Sequence, residues 1–158
     1  LRLSDGLDEL SAGEADDIIM AGMGGILIAK LLERTEWVKN KNIRLILQPM
    51  SHAEEVRSFL CNNGFDIIEE RTCRDDGRIY SVICAEYSGK IEAFPQGYEF
   101  YGKLDPNDDI ARKLVERQYK RLKIRASSLR EANFKLDEAE YCEKACLGME
   151  SFLNGGEK

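Results

Sequence analysis

Asp16-Asp17-Ile18-Ile19-Met20-Ala21-Gly22-Met23-Gly24-Gly25 decides how this chain folds. The apolar run Ile18 to Ala21 ends on three glycines in four positions, and a helix-compatible segment follows from Ile26. That order predicts a buried parallel strand ending in a loop where the backbone approaches another group closely. In open α/β sheets, ligands sit outside such carboxyl ends. Asp16 and Asp17 start the strand and read as solvated residues on the side of the sheet away from that site. Taken alone, Gly22-Met23-Gly24-Gly25 is equally well a tight strand-to-helix turn. It is not a dinucleotide fingerprint, whose third glycine would fall at Leu27, and it lacks the Lys-Ser/Thr of a phosphate-binding loop.

Upstream, Leu1 to Leu3 reads as the end of a strand stopped by Ser4-Asp5-Gly6, and Leu7 to Ala12 as a short amphipathic turn or helix. Downstream, Ile26 to Val38 carries a helical apolar pattern. Ile43 to Leu47 is a second buried strand, ended by Gln48-Pro49, and Ala53 to Asn63 a second helix with Asn62-Asn63-Gly64 at its C-cap. Phe65 to Cys73 and Arg78 to Tyr87 are β-rich and flank Asp76-Gly77, a strong hairpin signal. Two strand–helix units followed by an antiparallel hairpin look like the class I methyltransferase sheet rather than a dehydrogenase sheet. Residues 91–106 read as a linker between a domain over 1–90 and a helical one over 107–158. In the latter, Val115, Tyr119, Leu122, Ala126 and Leu129 form one heptad seam, and Ala139, Cys142, Cys146, Met149 and Leu153 another. The simplest packing is an antiparallel hairpin turning within 130–135; one continuous helix is the alternative.

The 158 residues are 43% apolar and 33% charged, as expected of a globular protein with one core and a small appendage. No apolar run is long enough for a membrane span, and a reduced, cytoplasmic setting is expected. Five cysteines without C-x-x-C spacing and a single histidine, His52, argue against a zinc site, and no metal is expected. The net charge of −6 argues against indiscriminate nucleic-acid binding. Yet between Ala111 and Arg130 eight basic residues face one acid, Glu116. Arg112, Lys113, Arg117, Lys120, Arg121, Lys123 and Arg125 could simply form a wet helix face, but their excess makes phosphate contact an equal reading. The segment from Glu131 onward is acidic, which favours pairing of the two helices.

Asp5-Gly6 can be an ordinary turn, but at a strand end its carboxylate could accept from an adenine amino group or a ribose hydroxyl. Gln48-Pro49-Met50-Ser51-His52 ends the second strand at the same sheet edge, and the Gln48 amide could present a donor and an acceptor to a base. His52 is better read as a helix-start residue than as a catalyst. No Ser/His/Asp or Cys/His nucleophile can be assembled.

Together, Ser4-Asp5-Gly6-Leu7, Gly13-Glu14-Ala15-Asp16, Ala21-Gly22-Met23-Gly24-Gly25 and Leu45-Ile46-Leu47-Gln48-Pro49 resemble the bacterial tRNA (adenine-N1)-methyltransferases that modify adenine 22 in the D-loop. Order and spacing agree over nearly the whole chain, as do the Asp76-Gly77 hairpin and the helical hairpin. The resemblance implies a Rossmann-like α/β sheet and S-adenosylmethionine as methyl donor. Asp5, Gly6 and Leu7 would border the cofactor adenine, and Ala21 to Gly25 would line the pocket between cofactor and base. Gln48, Pro49 and Met50 would wall the target adenine, and the basic helix would grip tRNA. Two departures stand out. The family has a further N-terminal segment with the first cofactor motif and two central strands, so these 158 residues alone are expected to be inactive. The family also has asparagine where this chain has Met50. Two other readings compete: a non-catalytic RNA-binding protein or subunit, and a methyltransferase for another substrate.

Overall fold

A computed structural model describes residues 1–91 and 93–155; Glu92 of the expected linker and residues 156–158 of the expected hairpin lie outside the described residues. Strand β1 (Asp17–Met23) leads into helix α1 (Gly25–Glu33), and β2 (Arg44–Pro49) into α2 (Ala53–Asn62). Strands β3 (Phe65–Asp75) and β4 (Arg78–Tyr87) form the hairpin, turning through Asp76 and Gly77, both with positive φ as a type I′ turn requires. A single helical turn, α3 (Tyr98–Tyr101), precedes the long helices α4 (Asp109–Glu131) and α5 (Leu136–Leu153). The C-terminal pair is thus a hairpin, with its turn inside the expected window, and not one continuous helix.

The sheet order is β1-β2-β4-β3, with β1 and β2 parallel and the other two pairings antiparallel. Alternate residues of the strands, among them Ile18, Met20, Leu45, Leu47 and Ile83, pack beneath α1 and α2 through Ile28, Leu32, Val56 and Leu60. A second apolar cluster lies between α3, α4 and α5, built on Val115, Ala126, Cys142 and Met149. Both expected heptad seams therefore face inward.

Three expectations need correcting. Residues 18–21 were expected to be buried on both faces, but Ile19 is 69% exposed. It heads a row, Ile19–Ile46–Cys84, on the face that the described helices leave uncovered. Leu1 to Leu3 forms no strand. The helix expected to reach Val38 ends at Glu33, where the Thr35 hydroxyl donates to the Leu31 carbonyl (2.7 Å) and a short 3-10 turn follows at Glu36–Val38.

A buried ion pair ties α2 to β3 and holds the segment of α3 and Lys103 that leads to the helical hairpin. Arg57 of α2 donates to Glu70 of β3 through Nε (3.0 Å) and Nη2 (2.6 Å), and through Nη1 to the Glu99 carbonyl before α4 (2.7 Å). The Lys103 amide completes the carboxylate's shell at 3.1 Å. Removing one partner would strand a buried charge at a cost of about 3–5 kcal/mol. Gly102, at φ +55, lies so close over the pair that a Cβ would overlap the Glu70 carboxylate.

Candidate functional site

Because β1 and β2 run parallel, their carboxyl ends emerge side by side, and three hydrogen bonds zip the two loops together. The Gly22 amide donates to Gln48 Oε1 (2.9 Å), the Met50 amide to the Met23 carbonyl (2.9 Å), and the Gly25 amide to the Ser51 carbonyl (2.7 Å). The glycines do different work. Gly22 is a bulge in the β1–β2 register with φ +78, and a Cβ there would meet nothing within 4 Å. Its bend leaves open space at the sheet edge. At Gly25 a Cβ would overlap the backbone of His52. The close approach inferred from sequence is therefore, at Gly25, an approach to the neighbouring loop.

The same zipper fixes what Gln48 does. Its carbonyl oxygen is taken by Gly22, and its amide nitrogen lies 3.5 Å from the Met50 sulfur. Both polar ends brace the loop. His52 has φ +52 and caps no helix through its side chain; its Nδ1 sits 3.2 Å from Ser51 Oγ. His52 thus stands directly before α2, as its reading as a helix-start residue has it, with its ring turned to Ser51.

Beyond this loop lies a cleft of about 120 Å³. Its walls are the loop Pro49–Ala53, the β4 residues Ile79, Tyr80 and Ser81, and α4 at Leu114, Arg117 and Gln118. Arg57, fixed by Glu70, contributes to the lining. The chain thus brings Pro49 and Met50 together with the basic helix. Tyr80, Gln118 and Arg57 were not singled out from sequence. Arg57 carries the one available signal, a charge between the core positions Val56 and Leu60.

The Asp5–Leu7 turn is not brought to the glycine loop. Asp5 pairs with Arg34 (3.0 Å), and a Cβ at Gly6 would press on Leu31, so this turn lies against the carboxyl end of α1. Gly25 starts that helix, about 14 Å away along its axis. Leu7 is a core residue.

The basic run of α4 divides into three sets. Arg121 pairs with Glu54 (3.3 Å), Arg125 with Glu138 (2.8 Å) and Arg130 with Glu143 (2.7 Å). Hydrogen bonds from these arginines hold the Glu138 and Glu143 carboxyls below their usual range. Lys123 donates to the Tyr119 hydroxyl (2.9 Å), and Arg112 to the Pro106 carbonyl (3.3 Å). Among the described residues, Lys113, Arg117 and Lys120 have no acidic partner. Their spacing of four and three puts them on one face of α4, with Arg117 at the cleft.

A family model described as a methyltransferase domain matches residues 1–83. The tRNA (adenine(22)-N(1))-methyltransferase of Bacillus subtilis (strain 168) is 40% identical over 94 residues, spanning 60% of this chain and 40% of that protein. The crystal structure of the B. subtilis M1A22 tRNA methyltransferase TrmK superposes with a TM-score of 0.78 at 25% identity, over 96% of this chain and 69% of that one. M. capricolum TrmK, solved with S-adenosyl-homocysteine, superposes at 0.74 with 15% identity, over 99% of this chain and 69% of that one, a likeness of fold. The chain thus matches less than half the length of the curated B. subtilis relative.

Proposed function

This chain belongs to the methyltransferase-domain family, and from that premise we propose that it acts in methyl transfer from S-adenosylmethionine to N1 of an adenine in the D-loop of a tRNA. The observation that carries the reading is convergence. The loop Pro49–Ala53 and Arg117 of α4 line one cleft, and that loop is tied through Gln48 and Met50 to the open bend at Gly22 and Met23. The left-handed Gly22, with space where a side chain would stand, fits a bound cofactor on the sheet side of the cleft. When bound, S-adenosylmethionine supplies an electrophilic methyl group on a sulfonium leaving group.

The chain's own task is then chiefly orientation. Adenine N1 has an in-plane lone pair and needs no strong base, but it lies on the pairing edge, so the base must leave its stack to enter the cleft. N1 forms the new bond to carbon as the carbon–sulfur bond breaks, its electrons going to sulfur, and the adenine becomes cationic. Among the described residues the cleft lining includes no Asp or Glu. The Ser51 hydroxyl and the His52 imidazole, 3.2 Å apart, are neutral acceptors in that lining suited to stabilise the charge or take a proton from N6. Gln48 acts on the loop by holding Gly22, and Pro49 and Met50 wall the base. Lys113, Arg117 and Lys120 take RNA phosphates. The outer edge of β1 beside Gly22 is unpaired among the described residues.

The test is transfer of labelled methyl from S-adenosylmethionine to unmodified bacterial tRNA with and without adenine at position 22, beside the B. subtilis relative as a positive control. Label confined to tRNA with that adenine, even at low rate, supports the reading. Salt-sensitive tRNA binding without label or S-adenosylhomocysteine affinity favours the non-catalytic RNA-binding reading instead.

A further inference from the structure

The inner end of the cleft holds a buried hydroxyl whose proton has no acceptor in the protein. Ser81 alternates with Ile83 and Ala85 on the helix-covered face of β4, and it lines the cleft while only 3% exposed. Its Oγ accepts from Arg57 Nη2 (3.4 Å). A hydroxyl that accepts from a guanidinium turns its own proton away from that cation. Among the described residues nothing takes the proton. Even the hydroxyl of Thr72, opposite Ser81 on β3, is directed to Asp108 Oδ2 (2.6 Å). Arg57, 2% exposed, has donor capacity left as well. Its Nε and Nη2 bind Glu70, while Nη1 gives one N–H to the Glu99 carbonyl (2.7 Å) and keeps a second. The Thr72–Asp108 bond seats α4 over this same face, and across the cleft α4 supplies Arg117, exposed and without an acidic partner.

We propose that Ser81, Arg57 and Arg117 form a phosphate site at the inner end of the cleft, and that in RNA it takes a backbone phosphate beside the extruded adenine. The lining groups are donors with no Asp or Glu among them, which suits an oxyanion and opposes a cation. Glu70 balances Arg57 from behind, so Arg57 and Ser81 fix direction while Arg117 supplies the net charge. Size agrees. A volume of about 120 Å³ is well below the roughly 300–1,000 Å³ that encloses a whole small molecule, so the cleft takes one group of a larger ligand. Met50 is 44% exposed and marks the mouth, so the base lies toward Pro49 and Met50 with its phosphate further in. The choice of RNA as the source rests on the proposed action on tRNA; the phosphate site itself stands on the donors alone.

The experiment titrates the full chain, Ser81→Ala and Arg117→Gln with inorganic phosphate, AMP and adenosine by calorimetry at fixed ionic strength. Thermal melting checks the fold of each variant, and the exposed Arg117 keeps the test open if Ser81→Ala melts early. AMP is expected to bind about tenfold tighter than adenosine, the scale of one hydrogen bond to a charged group. Each substitution should erase that advantage and leave adenosine unchanged. A second arm uses RNA stem–loops with one loop adenine, in which a neutral methylphosphonate replaces the phosphate on either side of it. For a backbone phosphate, this replacement should weaken binding to the unmodified chain about tenfold and to Ser81→Ala hardly at all, because both changes remove one contact. An AMP preference that needs Ser81, with an indifferent methylphosphonate, assigns the site to a free phosphate compound and removes RNA as its source. Neither effect in the unmodified chain, or either one undiminished in folded Ser81→Ala and Arg117→Gln, would overturn the proposal and leave the cleft to water. Methyl transfer run in parallel separates the two readings. Transfer to adenine without a phosphate site leaves the proposed function standing and this inference fallen. A phosphate site that depends on Ser81, without transfer, does the reverse.

Discussion

A methyl group added at Gly25 would overlap the His52 backbone, whereas one added at Gly22 would meet no atom within 4 Å. Gly25→Ala must therefore push the β1 and β2 loops apart and stretch the Gly25–Ser51 hydrogen bond. Overpacking and the lost bond together are expected to cost about 3 kcal/mol. Gly22→Ala pays only for a left-handed backbone, about 1 kcal/mol, but its methyl would stand in the space assigned to the cofactor. Thermal unfolding should rank Gly25→Ala well below Gly22→Ala, while calorimetric titration with S-adenosylhomocysteine should show Gly22→Ala at least tenfold weakened despite its near-normal melting. Normal affinity in Gly22→Ala would remove the cofactor from that space. The glycine cluster was legible in the sequence because only glycine suits such a bend. Its division of labour was not, since composition reveals backbone freedom and not which neighbour demands it. Gln48 makes the same point: an amide at a strand end reads as a ligand contact, and only the fold shows that Gly22, 26 residues earlier, takes its oxygen.

Helix α4 is anchored to the sheet through the residue that precedes it. Asp108 caps it, accepting from the Ile110 amide (2.8 Å), and also accepts from the Thr72 hydroxyl of β3 (2.6 Å). The Thr72 hydrogen bond, then the Ile110 amide, hold its carboxyl below the usual value. A lowered folded pKa means that Asp108 stabilises the protein fully above the unfolded value near 3.8, and that the contribution fades as pH falls through the lower folded value. Asp108→Ala is expected to cost about 1 kcal/mol at pH 7. Asp108→Asn should keep most of the cap and lose its share of the acid dependence, which denaturant titrations at pH 7 and pH 3 would check. An Asp108→Ala variant as stable as the parent at pH 7 would mean that the cap contributes nothing. At this scale the sequence was most readable where local chemistry dictates geometry, as in the Asp76-Gly77 turn and the two heptad seams. It was least readable where coverage decides. An apolar run such as Ile18 to Ala21 cannot say whether one face or two will be covered, and the buried Arg57–Glu70 pair joins elements whose proximity follows only from the sheet order.

Across the whole molecule, the charge asymmetry of the sequence resolves into two roles on one helix. The acidic α5 neutralises Arg125 and Arg130, Glu54 of α2 neutralises Arg121, and the face carrying Lys113, Arg117 and Lys120 is left positive in a protein of net charge −6. Local pairing thus removes Arg121, Arg125 and Arg130 from the attraction for a polyanion and leaves it to Lys113, Arg117 and Lys120, with Arg112 and Lys123 bonded only to neutral groups, while the acidic remainder discourages binding elsewhere. Counterion release gives this a measurable form, because each phosphate contact adds about 0.7–0.9 to the slope of log affinity against log salt. Replacing Lys113, Arg117 and Lys120 together by Gln should lower the slope for tRNA by about 2–3. Replacing Arg121, Arg125 and Arg130 should leave the slope nearly unchanged and lower the melting temperature slightly, since those charges already have partners. The opposite result, with the slope carried by the paired arginines, would mean that the ion pairs between α4 and α5 open when RNA binds. The RNA track would then run along the hairpin seam, and the cleft at Arg117 would lose its electrostatic approach.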